Sequence, residues 1–333
     1  MKPWHPQASG RTGVKRAALS ALLLALTPAL PAQAAEPAYP TKPIRMMTAT
    51  TIGSGPDVIA RLIGTRLTDL WGQPVVVDNR PGASGLIGAE LVAKSAPDGH
   101  TLWMATMTQL ISTTMYQRYM MAREFAPVAA IASTPYVISV STALPVKNVA
   151  EFIAYARARP GQVMYGSGGQ GSTPHLCMEL FQSMAGIRLA HVPYKGSVIA
   201  LTDMMGGQMH STCAAAPAMP PFVQSGKVRS LAVTTRAPTQ LAPGLPVVGE
   251  AVAGYELVGW YGVLAPRTTP KHIVARIDAA LAEILRVPEV KERLIAVGAE
   301  AAHSGSAEFA AFLQQETERW GKVLREANIK PPN

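Results

Sequence analysis

Cysteine is nearly absent: 333 residues hold only Cys177 and Cys213. Their spacing fits no zinc pattern. A buried free pair is the favoured reading, and a disulfide stays open if the chain meets an oxidising compartment. No apolar run is long enough to cross a bilayer, which takes about 20 residues. The most apolar stretch, 126–146, is broken by Pro127, Pro135 and Pro145 and dotted with Ser and Thr, which suits strands and turns. No serine sits in a G-x-S-x-G elbow. No nucleophile lies in a recognisable motif with His175 or His191. His175 reads as first-turn packing or a ligand hydrogen bond, and His191 as a structural hydrogen bond at a strand end. Trp260-Tyr261 reads as core, with ligand stacking as the alternative. Residues 166–171 formally match G-x-G-x-x-G. A dinucleotide site also needs an acid about 20 residues on, and His191-Val192-Pro193-Tyr194-Lys195 offers none. These absences leave no catalytic, metal or cofactor constellation.

What is present begins with the N-terminus. Lys2, Arg11, Lys15 and Arg16 precede an apolar run from Ala17 to Leu26, then Pro28, Pro31 and Ala32-Gln33-Ala34. A basic start, a short apolar run and an A-x-A site predict a secretory signal peptide over 1–34. No lipobox cysteine follows, so a soluble periplasmic protein is expected. The net charge is +9, and four of those charges fall in the signal segment, leaving about +5. The remaining Lys and Arg are scattered, which argues against a nucleic-acid patch and gives anions only a weak pull.

About 300 residues suit two lobes better than one core. Strand-like Ile44–Ala49, Val75–Asp78 and Thr101–Ala105 alternate with helix-like Asp57–Leu70 and Gly85–Ser95. The Asp57–Leu70 helix has Val58, Ile59, Leu62, Ile63, Leu67 and Leu70 on one stripe and Gly72 as its stop. The rhythm recurs through Tyr136–Val140, Val149–Arg159, Val163–Tyr165, Pro174–Ala185, Leu189–Pro193 and Val198–Met205, with strands near Met209–Cys213 and Ser230–Val233. The tail, Pro270–Leu285, Pro288–Val297 and Ala307–Ala327, reads as helical. Alternation of this kind predicts α/β lobes, each a mostly parallel sheet flanked by helices.

Two strand-to-helix loops share one design: Thr50-Thr51-Ile52-Gly53-Ser54-Gly55-Pro56-Asp57, and Gly166-Ser167-Gly168-Gly169-Gln170-Gly171-Ser172-Thr173-Pro174, with His175 just beyond. Ser, Thr and Asp can cap the helices, and Pro fits a first turn. Helix starts present free N–H groups and a positive dipole end, which favour anions. In open α/β sheets ligands lie beyond the carboxyl ends of strands, where both loops sit. Facing each other, they would clamp a carboxylate. The ligand-binding candidates are Thr50, Thr51, Ile52, Gly53, Ser54, Asp57, Ser167, Gly168, Gln170, Gly171, Ser172, Thr173 and His175. Thr106, after the third strand, and Ala214, after the strand near 209–213, complete the set.

From Tyr39 to Val323 the chain resembles the substrate-binding receptors of tripartite tricarboxylate transporters, the Bug-type periplasmic proteins. The resemblance rests on Tyr39-Pro40-Thr41-Lys42-Pro43-Ile44-Arg45, Gly72-Gln73-Pro74-Val75-Val76-Val77-Asp78-Asn79-Arg80-Pro81-Gly82-Ala83 and Ala96-Pro97-Asp98-Gly99-His100-Thr101-Leu102. It extends through the 166–176 loop, His191–Gly196 and Gly259-Trp260-Tyr261-Gly262-Val263-Leu264-Ala265-Pro266. It implies a two-lobed Venus-flytrap fold, with lobe one at 36–138 and 262–333 and lobe two at 139–261. It also implies an organic-acid ligand held by amides, hydroxyls and water from the two loops, no cofactor, and transporter membrane components as partners to a monomeric receptor. Three positions depart from the family pattern: Ala49-Thr50 stands for Pro-Phe, Gly53-Ser54 for a glycine pair, and Cys213-Ala214 for Phe-Asp. Losing that Asp removes a charge that could read an ammonium. A periplasmic sensor and an exported enzyme on the same fold are the competing readings; uptake, gene induction and turnover would separate them. The expected mechanism is closure of one lobe over a ligand held by the other.

Overall fold

The computed structural model describes residues 39–331 apart from Lys195. The signal-peptide expectation lies outside the described residues. The first lobe opens with β1 (Ile44–Thr48), α1 (Gly55–Trp71), β2 (Val75–Asn79), α2 (Leu86–Ala93) and β3 (Thr101–Thr106). Next come α3 (Met107–Tyr116), α4 (Met121–Glu124) and the 17-residue β4 (Phe125–Ser141). Helix α1 forms because Ile59, Ile63 and Leu67 recur on one fully buried face, and it ends at Gly72, whose left-handed turn returns its N–H to the Thr68 carbonyl. Burying each such side chain contributes about 1.5–3 kcal/mol. Leu70, expected on that stripe, is instead exposed.

The second lobe runs α5 (Val149–Arg157), β5 (Met164–Ser167), α6 (Thr173–Ala185), β6 (Ala190–Pro193), α7 (Ser197–Met205), β7 (Ser211–Ala215), α8 (Pro220–Gln224) and β8 (Val228–Val233). The chain then returns through β9 (Val258–Pro266) to α9 (Lys271–Ile284), α10 (Pro288–Ala296), β10 (Glu300–Ser304) and α11 (Ser306–Glu326).

In each lobe the outer strands are parallel: β2-β1-β3 in one, and β6-β5-β7 in the other. Antiparallel partners join them through β4, which belongs to both halves. Residues Phe125–Pro135 of β4 pair with β9, and residues from Tyr136 onward pair with β7 and β8. The register slips just after Pro127, which has no N–H to give a ladder. The returning chain crosses beside β4, with Thr234 N–H bonding the Tyr136 carbonyl at 2.9 Å and Leu257 N–H bonding the Thr234 carbonyl at 2.8 Å. Two strands side by side form the crossing between the lobes.

On one face, β1, β3 and β4 pack against α1, α9 and α10 through Ile63, Leu67, Ile277 and Leu294. On the other, Trp103, Phe125, Phe309 and Trp320 join a core that continues into α6 through Cys177 and Phe181. Cys177 and Cys213 form a disulfide with Cα atoms 6.2 Å apart, which corrects the favoured free pair. The sequence could not bring residues 36 apart together; the packing of α6 against β7 does.

Candidate ligand-binding site

A cavity of about 260 Å³ lies between helices that follow strands of different half-sheets. Thr50 and Pro56 come from the β1–α1 loop and helix start. Thr106, Met107, Thr108 and Gln109 come from the start of α3, and Thr173 from the start of α6. Thr134 and Tyr136 of β4, with Gly259, Trp260 and Tyr261 of β9, close it at the crossing. Thr108 Oγ1 lies 3.2 Å from Thr173 Oγ1, joining the two sides. Among the described residues, no Lys, Arg, Asp or Glu lines the cavity.

Its polarity comes from hydroxyls and helix starts. The first N–H groups of α1, α3 and α6 have no intrahelical acceptor and sit at the positive ends of the helices. Packing around the Tyr136 ring pushes its hydroxyl up to about 12, and burial raises Tyr261 as well, so both are proton donors at neutral pH. Gly55 gives Tyr261 room, since a Cβ there would lie 3.1 Å from the phenol oxygen.

The two loops rest on different foundations. In the first, Gly53 adopts φ +79°, open to glycine at little cost, and gives its N–H to Asp57 Oδ2 at 2.8 Å. Asp57 is buried and also takes Arg61 Nε at 3.2 Å and Asn79 Nδ2 at 3.0 Å. Burial alone would raise its pKa; the bonds from Arg61, Gly53 and Asn79 outweigh it and hold the carboxyl below the ordinary value. Asn79 Nδ2 also reaches Thr48 Oγ1 and the Thr50 carbonyl. Ser54 Oγ donates to the Thr51 carbonyl at 2.7 Å and lies 2.9 Å from Thr50 Oγ1.

In the second, Gly171 adopts φ +74° and gives its N–H to His175 Nδ1 at 3.0 Å. The His175 ring stacks 3.9 Å from His191, which stacks 4.8 Å from Tyr165. His191 Nε2 meets Ser167 Oγ at 2.7 Å, and Ser167 Oγ accepts the Gly169 N–H at 3.1 Å. The Tyr165 hydroxyl bonds Glu179. Burial lowers His175 to about 3, with His191 adding to the effect, and lowers His191 to about 4. Both rings are therefore neutral. Ser172 caps α6, its Oγ accepting the His175 N–H at 3.4 Å.

Of the candidate residues, Thr50, Thr106 and Thr173 meet at the cavity. Asp57, Ser167, Ser172 and His175 lie beneath the loops, where they brace them. Thr51 and Gly53 are exposed, and Ile52 is 76% exposed. Ser54 and Gly168 stand beside the loop turns, Gly168 against Ser197. Gly171 packs near Met115, and Gln170 Nε2 reaches the Lys330 carbonyl at 3.5 Å. Ala214 is buried in β7 opposite Val137.

Residues missed by the sequence reading include Thr108, Thr134 and Tyr136, while Tyr261, read as core with ligand stacking as the alternative, lines the cavity. One signal was there: Thr106-Met107-Thr108-Gln109 has the T-x-x-Q spacing of a capping box, and Thr106 N–H does bond Gln109 Oε1 at 2.8 Å. Trp260 fits the core reading, edge-on to Phe309 and Phe312, and also borders the cavity.

Residues 59–329 match the tripartite tricarboxylate transporter family receptor. BugT of Bordetella pertussis is 33% identical over 296 residues, covering 87% of this chain and 90% of its own. An R. palustris protein solved with adipate is 39% identical, covers 88% of this chain and 100% of its own, and has a TM-score of 0.73. MatC from Rhodopseudomonas palustris, solved with bound malate, is 28% identical, covers 86% and 100%, and has a TM-score of 0.71. With matched residues that reach from α1 to the end of the last helix, and the two-lobed α/β fold in common, the chain belongs to the tripartite tricarboxylate transporter family receptors, which are periplasmic solute-binding proteins.

Proposed function

We propose that the chain is exported, closes over a small carboxylate in the cleft cavity, and delivers it to the membrane components of a tripartite tricarboxylate-type transporter. One observation carries the ligand class: three helix starts and a ring of threonine and tyrosine hydroxyls face a cavity with no charged side chain. Such a wall stabilises negative charge through dipoles and donated hydrogen bonds, with no cation to desolvate. A cavity of about 260 Å³ falls just below the range of drug-sized sites, which begins at about 300 Å³, and so suits a small acid. Among the described residues no carboxylate lines the cavity to hold an ammonium, which disfavours amino acids.

Thr50, Thr108, Thr173, Tyr136 and Tyr261 are the side-chain donors in this reading, while the Thr106 hydroxyl already donates to Gln109 Oε1. The braces beneath the loops act on the ligand only through the backbone they hold. Adipate and malate, the ligands of similar proteins, are natural first probes. In calorimetry a dicarboxylate should bind at least about a hundredfold more tightly than its neutral diamide, since each charged hydrogen bond contributes roughly 1.5–3 kcal/mol. Equal affinity for acid and amide would refute the carboxylate reading.

A further inference from the structure

A larger groove, about 640 Å³, lies outside the cleft, walled by α3, α4, the end of α11 and the residues that follow it. Its size falls within the range of small-molecule sites, about 300–1,000 Å³. Three cations face it: Arg123 on α4, Arg325 on the last turn of α11, and Lys330 beyond. Among the described residues none of the three pairs with an acid, while neighbouring charges are already engaged. Glu124 accepts the Met120 N–H, Glu326 pairs with Lys322, and Glu316 with Arg319. Arg118 lies over the Tyr119 ring. Among the described residues Glu318 is the one acid on the wall, and it is exposed and takes a bond from Gln314. The wall hydroxyls are used internally, Thr114 on the Leu110 carbonyl and Thr317 on the Leu313 carbonyl. Gln117 and Asn328 add neutral amides to the wall, and its positive charge comes from the three cations. Leu324 and Ile329, both buried, and Met115 supply an apolar floor.

From three cations over an apolar floor, we propose that this groove is a second anion site, taking a small organic anion of two or more negative charges with a compact apolar body. Arginine suits such a ligand because its planar fork can take two oxygens of one anionic group. The proposal does not depend on the cleft reading. The groove nevertheless adjoins loop two: Met115 packs where a Cβ on Gly171 would lie 3.5 Å away, and the Lys330 carbonyl takes the Gln170 side chain.

Phenyl phosphate, a dianion with an aromatic body above neutral pH, is the probe, titrated by calorimetry at pH 7.5 into the full chain and two variants. R123Q/R325Q should weaken binding at least about tenfold, whereas T108W, which fills the cleft, should leave it within about twofold. Inorganic phosphate, lacking the apolar body, should bind more weakly. Loss of binding in T108W with retention in R123Q/R325Q would assign the probe to the cleft and overturn the proposal. So would the absence of binding to the unaltered chain at millimolar probe. If R123Q/R325Q fails to fold, judged by melting, K330Q and a salt titration take its place. Binding must then weaken with salt and in K330Q, and indifference to both refutes the site.

Discussion

The two cleft loops are close to copies of one another, and what holds them differs. Gly53-Ser54-Gly55-Pro56-Asp57 and Gly171-Ser172-Thr173-Pro174-His175 each place a left-handed glycine, an extended serine N-cap and a first-turn proline in the same order. The serines agree closely, φ −72° and ψ 161° against φ −69° and ψ 157°. Each glycine N–H is caught by the side chain four residues on, by a carboxylate in one loop and an imidazole in the other. Gly-Ser-x-Pro fixes the backbone. The acceptor suits its surroundings: Asp57 has Arg61 and Asn79 beside it, and His175 has the rings of His191 and Tyr165. An ionic brace and a neutral stack give the same turn, and acid should tell them apart.

The largest expected effect is on pH. His175 and His191 sit at about 3 and about 4, pressed down by burial. In the unfolded chain both titrate near 6.5, so the unfolded state takes up their protons first as pH falls. Their contribution is complete above about 6.5 and is lost below it, down to about 4 for His191 and about 3 for His175. The ceiling is about 1.4 kcal/mol per pH unit for each ring. Asp57 behaves oppositely. Its carboxyl is held below 3.8, so its contribution is present above that value and is lost only in stronger acid. Between pH 6.5 and 4 the second loop should therefore weaken alone. Urea unfolding across this window should show the fall, and H175Q/H191Q should flatten it. A slope unchanged in that variant would place the acid sensitivity elsewhere.

A smaller effect tests the first loop. Asp57→Ala strips acceptors from the Gly53 N–H, Asn79 and Arg61 together and should cost about 2–3 kcal/mol of stability at pH 7. Asp57→Asn keeps one acceptor oxygen and should recover part of that. If D57A unfolds at the urea concentration of the unaltered protein, the ionic brace is not what holds the loop.

The outer halves of the lobes were legible because buried parallel strands and amphipathic helices leave local patterns, as in Ile59, Ile63 and Leu67 of α1. The crossing was not. β4 reads as broken apolar pieces around Pro127 and Pro135, and only pairing with β9 on one side and β7 on the other makes it one strand. The site followed the same division. Thr50, Thr106 and Thr173 sit at strand-to-helix junctions that local sequence marks. Thr134, Tyr136 and Tyr261 reach the cavity through that crossing, and no local pattern announces it. Of the two readings of His175, first-turn packing and a ligand hydrogen bond, the inward stack on His191 agrees with the first.

The smallest effect separates ligand contact from brace within each loop. Thr173 is buried at the start of α6, and Ser172 already caps that helix, so the Thr173 hydroxyl is not needed to hold the turn. Thr50 Oγ1 lies 2.9 Å from Ser54 Oγ, whose one hydrogen has the Thr51 carbonyl at 2.7 Å as its nearer acceptor, and the Thr50 hydroxyl can turn to the cavity. Replacing either by Val removes the hydroxyl and keeps the branched shape. A hydrogen bond to a carboxylate contributes roughly 1.5–3 kcal/mol, so T50V and T173V should each weaken dicarboxylate binding about tenfold or more. The melting point of the ligand-free protein should hardly move. Ser172→Ala should behave the other way, losing about 1 kcal/mol of stability with affinity kept. Calorimetry paired with thermal melting reads both. If T173V weakens binding and T50V does not, the clamp draws its side-chain donors from the second loop alone. The first loop would then act through the N–H groups at the start of α1, and the likeness of the two turns would extend to their backbones and no further.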